Sequence, residues 1–151
     1  MKSGTAAFGI LSLEVVTLPI SDIDRALRFY VDRVGFALDV DYAPNTTFRV
    51  VQLTPPGSHC SIQFGKGVTD APAGSLRNIY LVVTDIETAR SRLLERGVEV
   101  SELKHKAPID GWGGAFAPGF DPNHRDYASF AGFSDPDGNT WVLQERGHPD
   151  V

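Results

Sequence analysis

The sequence predicts an α+β protein made of two β-α-β-β-β modules. Three observations carry this. A segment of the first half recurs in the second, with helix-start, apolar and helix-stop residues in the same order. Each copy is followed by runs in which side chains alternate between apolar and polar with the period of a strand. The runs are divided by clusters such as "APN" and "PPGS", which are turn chemistry.

The repeat lies between "LPISDIDRALRFYVDRVGFAL", from Leu18, and "LVVTDIETARSRLLERGVEV", from Leu81. Asp22 matches Asp85, Ile23 matches Ile86, Ala26 matches Ala89 and Arg33 matches Arg96, all at one spacing. Ser21 and Thr84 are the expected N-caps, with Asp24 and Glu87 three residues on, the spacing of a capping box. Ile23, Ala26, Leu27, Tyr30 and Val34 form one apolar stripe; Ile86, Ala89, Leu93 and Leu94 form the other. Gly35 and Gly97 then supply the stops. Cap, stripe and stop recurring together point to a duplication.

Strands are expected at "FALDVDY", "TFRVVQLT" and "HCSIQFG" in the first half. The second half offers "NIYLVV", "VEVSELKH", "DYASFAGFS" and "TWVLQE". The expected organisation is a loose leader at 1–11, a single domain over 12–145 with modules 12–70 and 76–145, and a tail at 146–151. Between Lys106 and Arg125 lies a long gap rich in Gly and Pro that also holds Trp112, Phe116 and Phe120. It reads either as a flexible insertion or as a lid whose aromatics cover a pocket.

Side chains alternate across a strand, so each strand has two faces. Val16, Leu18, Ile62, Phe64, Leu81, Trp141 and Leu143 fall on an apolar face, which the amphipathic helices need for packing. The opposite face mixes Val15, Thr17, Gln63, Asn78, Tyr80, Val82, Val142 and Gln144. Such a face is either solvated or the wall of a semi-enclosed pocket, in which apolar surface carries a few polar groups. Its valines and tyrosine favour the pocket.

The chain has 151 residues, 42% hydrophobic and 22% charged, enough for one domain with a real core. The formal net charge is -5 and the Lys and Arg are scattered, so no nucleic-acid partner is expected. No apolar run approaches the roughly 20 residues of a membrane span, and the N-terminal run is too short and Gly-broken for a secretory signal. A lone Cys60 allows no internal disulfide, which fits a reducing cytoplasm.

Taken together, "LPISDIDRALRFYVDRVGF", "YLVVTDIETARSRLLERGV" and "FSDPDGNTWVLQE" resemble the vicinal oxygen chelate superfamily. This is the group of glyoxalase I, bleomycin-resistance proteins and extradiol dioxygenases. The resemblance runs from about Leu13 to Glu145. It implies curved mixed sheets, half-barrels around a cavity, with helices on the outer face. It also implies a divalent metal in catalytic members, held by His, Glu or Gln at places that fall here on Val15, Gln63, Asn78 and Val142. All four lie on the mixed face. Two are valines and two are neutral amides, so no metal and no other cofactor is expected. A register error of one residue would instead bring in Glu14 or Glu145, which fall on the helix-side face.

The expected function is therefore metal-free binding of a small, partly aromatic molecule, through Thr17, Gln63, Asn78, Tyr80, Trp112, Val142 and Gln144. The alternative is an enzyme of the same superfamily, a lyase, isomerase or ring-modifying catalyst. His105, at the mouth of the long gap, is then the candidate base. His124 closes the gap and His59 sits in a turn. No phosphate loop and no nucleophile elbow is present. Half-barrels leave sheet edges open, and a homodimer is expected.

Overall fold

The computed structural model describes residues 9–150. Most of the expected leader, residues 1–8, lies outside them. The first module contains β1 (Val15–Thr17), α1 (Ile23–Leu27) with a π-helical continuation (Arg28–Val34), β2 (Ala37–Tyr42), β3 (Arg49–Thr54) and β4 (Ser61–Lys66). The second contains β5 (Ile79–Val83), α2 (Ile86–Glu95), β6 (Lys104–Lys106), β7 (Phe116–Pro118), β8 (Ser129–Ser134) and β9 (Thr140–Glu145). The sheets run β1-β4-β3-β2 and β5-β9-β8-β6-β7. In both, the first strand lies parallel to the last and the remaining pairs are antiparallel. The two modules thus share one strand order, and β7 is an addition at the edge of the second.

Three local readings differ from the sequence expectation. The N-caps are Asp22 and Asp85, one residue later than expected; their carboxylates accept the Arg25 and Thr88 amides. Ser21 is drawn away instead, its amide and hydroxyl both donating to Asp137. The run "VEVSELKH" is a strand only from Lys104. The Ser101 hydroxyl accepts the Gly132 amide at 2.8 Å, so a side chain replaces the ladder carbonyl there. Leu94 is exposed, because the buried stripe of α2 runs through Ile86 and Leu93 and the next residue turns off it.

The π-helical winding places the neighbours Phe29 and Tyr30 both in the core. Gly35, at φ 91°, adopts the left-handed conformation that ends the helix, as expected. The core is a single cluster that joins the apolar faces of both sheets with both helices. Tyr30 sits at its centre, with Phe64 of the first sheet 6.1 Å away and Trp141 of the second 5.7 Å away. Its hydroxyl donates to Asp135 at 2.7 Å and accepts from the Trp141 indole at 2.9 Å. Burial, reinforced by the Asp135 charge, pushes the Tyr30 phenol far above its ordinary range, so it remains a donor. Among the described residues no buried side-chain polar atom lacks a partner.

Tyr30→Phe leaves the Trp141 N–H unpaired and takes one donor from Asp135, and should cost about 1–3 kcal/mol in urea denaturation; a loss within error would show that this network is not what joins the modules. Asp85→Ala should cost about 1 kcal/mol at neutral pH. The Thr88 amide holds the Asp85 carboxyl below its ordinary 3.8. The cap therefore contributes fully above that value and is lost as pH falls through the lower, folded one. The difference between wild type and variant should close over that interval, and a pH-independent difference would remove the carboxylate from the cap.

Candidate functional site

The mixed face of the second sheet forms the floor of a cavity of about 1050 Å³. Tyr80 pairs in register with Val142, and Val82 with Gln144, so these side chains stand side by side on it. Asn78, Tyr80 and Val142 line the cavity. Asn78 takes a left-handed φ of 59°, and its amide is fixed by the Thr140 hydroxyl at 2.8 Å. Tyr80 is half exposed. Gln144, on the same face but outside the cavity lining, is tethered to the Tyr127 carbonyl at 3.1 Å. The cavity continues past residues 97–101 towards the π-helical continuation of α1, where Phe29 and Arg33 reach it.

Part of the long gap is a hairpin arm. β7 pairs with β6, carrying the arm back onto the sheet edge. The fold-back sets Trp112 and Phe116 against Phe130 of β8. Trp112 lies within 19° of parallel to Phe130, with centroids 6.5 Å apart, and Phe116 meets both rings edge-on. The Trp112 N–H is satisfied by Ala115 within the arm, which leaves the ring for contact. Lys104 and Lys106 lie on the same side, their ammonium groups 4.1 Å from the Phe116 centroid and 4.8 Å from that of Trp112. Phe120 turns the other way, packing on the core and stacking on His124.

Thr17 and Gln63 lie on the mixed face of the first sheet, paired in register, with the Gln63 amide donating to the Thr17 hydroxyl at 2.9 Å. They do not line the cavity of the second sheet. Both apolar faces converge on Tyr30, so each mixed face points away from the shared core. Tyr42 and Val40 remain exposed on β2. The expected ligand positions are thus divided within one chain between a Thr17–Gln63 pair and an Asn78–Tyr80–Val142 group.

His105 alternates with the two lysines and so points away from their rings. Its Nδ1 donates to the Gly119 carbonyl at 2.8 Å, and it does not line the cavity. Glu145, fully buried, faces the helix side: one oxygen accepts the Ile86 amide at the start of α2, and the other accepts His124 Nδ1 at 2.9 Å. His148 of the tail stacks on His124, with centroids 3.7 Å apart and planes within 8°. The three side chains bring potential ligand atoms within 4.8 Å of one another. Imidazole lone pairs lie in the ring plane, so two parallel rings do not converge on one ion. As arranged, the group caps a helix.

The sequence matches the model of the glyoxalase/bleomycin resistance protein/dioxygenase superfamily over residues 12–143. The chain belongs to this superfamily. Among solved superfamily structures, an antibiotic-binding protein, TnmS3, from Streptomyces sp. CB03234 is 33% identical. The alignment covers 90% of this chain and 96% of that one, with a TM-score of 0.67. A glyoxalase/bleomycin resistance protein from the same strain is also 33% identical, over 88% of this chain and 99% of the other, at a TM-score of 0.65. A superfamily member from Sphaerobacter thermophilus DSM 20745 is 28% identical, over 91% and 98%, at 0.66. No curated protein matches.

The residues do not fit the metal that the superfamily resemblance implies. Val15 and Val142 have no lone pair to give. Gln63 and Asn78 are neutral amides, too few and too weak as donors to hold a divalent ion by themselves. Lys104 and Phe130 also line the cavity, and Lys106 stands beside them over Trp112; none of the three was among the expected site residues. Their signal was present: "KHK" alternates two cations around His105, and Phe130 has the parity opposite to Ala131 and Phe133.

The chain's two tryptophans differ in access, Trp112 being 40% exposed and Trp141 2%. Acrylamide should quench one emitting population strongly, and Trp112→Phe should remove it. Unchanged quenching in that variant would place Trp112 elsewhere than at the surface of the arm.

Proposed function

We propose that the protein is a metal-free small-molecule-binding protein of the bleomycin-resistance type, holding a small, partly aromatic ligand on the mixed faces of its sheets. The observation that carries this is the cavity of the second sheet, where a tyrosine, a valine and an amide on the floor adjoin exposed aromatic rings on an arm. This is the make-up of a site that binds by contact, with few polar groups to orient the ligand. The antibiotic-binding character of one 33% identical structure supports the same reading. Tyr80, Val142 and Trp112 supply contact surface; Asn78 and Gln144 supply hydrogen bonds.

Thr17 and Gln63 join the site through a homodimer. A second copy laying its first sheet over this second sheet would bring a Thr17–Gln63 pair against the Tyr80–Val142 floor. It would also cover the exposed Val15, Val40 and Tyr42 of one sheet and Tyr80 and Val82 of the other. The protein works in the cytoplasm; no helix among the described residues is long and apolar enough to cross a membrane.

Trp112→Ala should weaken binding of a ligand found by screening aromatic natural products by about 1–3 kcal/mol; an affinity indifferent to this change would sink the reading. Gln63→Leu should weaken binding too, and only in the dimer. Sedimentation at micromolar concentration should show twice the mass of one chain, and a single-chain species with full affinity would dismiss the composite site. Elemental analysis of protein purified without chelator should find no stoichiometric transition metal. Metal lost together with function on chelation would restore the enzyme reading, with His105→Ala as the test of its base.

A further inference from the structure

We propose that the corner formed by β6, the arm and β8 selects an acid: a planar aromatic ligand bearing a carboxylate or similar anion, neutralised by Lys104 and Lys106. The proposal rests on the reading of this face as a ligand site and adds the charge of what it takes.

The chain as a whole is acidic, with 19 Asp and Glu against 14 Lys and Arg. The corner is the reverse. Lys104 and Lys106 are two residues apart on one strand, so both ammonium groups reach the same face. Lys104 pairs in register with Phe130, and Lys106 with Phe116. Each ammonium lies over an aromatic ring, and neither ammonium takes part in a salt bridge or side-chain hydrogen bond found among the described residues. Contrast Arg49, which is gripped by Asp24 and Asp41. A ring is neutral: it orients the cation and compensates it only in part. Two positive charges side by side on apolar surface therefore lack a counter-charge.

The rest of the lining agrees. Arg33, Arg77 and Lys104 face the cavity against Glu99 and Asp135. Asp135 is buried and already bonded to Tyr30 and Asn139. Glu99 lies at the far end, on the segment that precedes β6. A cationic ligand would meet like charge at the aromatic corner. An anionic one gains charge-assisted hydrogen bonds from the lysines while its ring lies against Trp112. Apolar walls strengthen the attraction by lowering the local dielectric.

The test uses two probes of one shape, 2-naphthoate and 2-naphthamide, titrated into the full chain. The naphthoate should bind roughly tenfold more tightly, and salt at about 1 M should reduce that ratio by screening. Lys104→Met with Lys106→Met should bring the ratio close to one, whereas Lys104→Arg with Lys106→Arg, which keeps both charges, should preserve it. Equal affinities in the wild type, or a ratio unchanged by the methionines, would overturn the charge selection alone, provided that Trp112→Ala still weakens both probes. Binding of neither probe, or binding indifferent to Trp112→Ala, would instead overturn the functional reading on which it rests.

Discussion

The structure depends on one buried turn. Asp135 opens "DPDGN", and one of its carboxylate oxygens accepts the backbone amides of Asp137, Gly138 and Asn139, closing the turn on itself. The other accepts from Tyr30 and from the Asn139 amide, which also reaches the Pro19 carbonyl. Asn139 in turn accepts from Leu76 of the inter-module linker. One turn of the second module thereby grips the helix of the first, the chain leading into that helix, and the linker. Gly74 passes so close that a Cβ there would stand 1.9 Å from the Asp137 carbonyl oxygen. An unpaired carboxylate in such a place would be strongly destabilising; here the surrounding groups satisfy it.

That grip decides which surfaces remain for function. By drawing both apolar faces onto Tyr30, it turns the two mixed faces outward. The duplicated modules place Thr17–Gln63 and Tyr80–Val142 at equivalent register positions. One pair has become a hydrogen-bonded polar contact; the other has become a phenol beside an isopropyl group. Neither is a set of metal donors, and the difference between them suits a site assembled from two unlike walls.

Much of the fold was legible in the sequence because its signals are local. Side-chain parity placed Tyr80, Val142 and Gln63 on the right faces, and Gly35 ended its helix where expected. The first N-cap lies one residue later than expected because Ser21 answers to Asp137, a partner 116 positions away that no local pattern reveals. β7 was invisible because Phe-Ala-Pro between glycines shows no alternation, and its strand character comes from pairing with β6. Parity also identified the mixed faces but not which of them share a cavity, since that is set by how the sheets are rotated about Tyr30.

The arm meets its sheet along a narrow seam. β6 is in register with β8 only at Lys104↔Phe130 and His105↔Ser129, and the arm beyond Lys106 touches the sheet chiefly through its own aromatic rings. The turn that organises the core lies elsewhere. Insertion, deletion or replacement between Lys106 and Phe116 can therefore proceed without unsettling the scaffold. Frame and arm are thus separable: the duplicated scaffold stays fixed while an edge piece can vary in length and sequence.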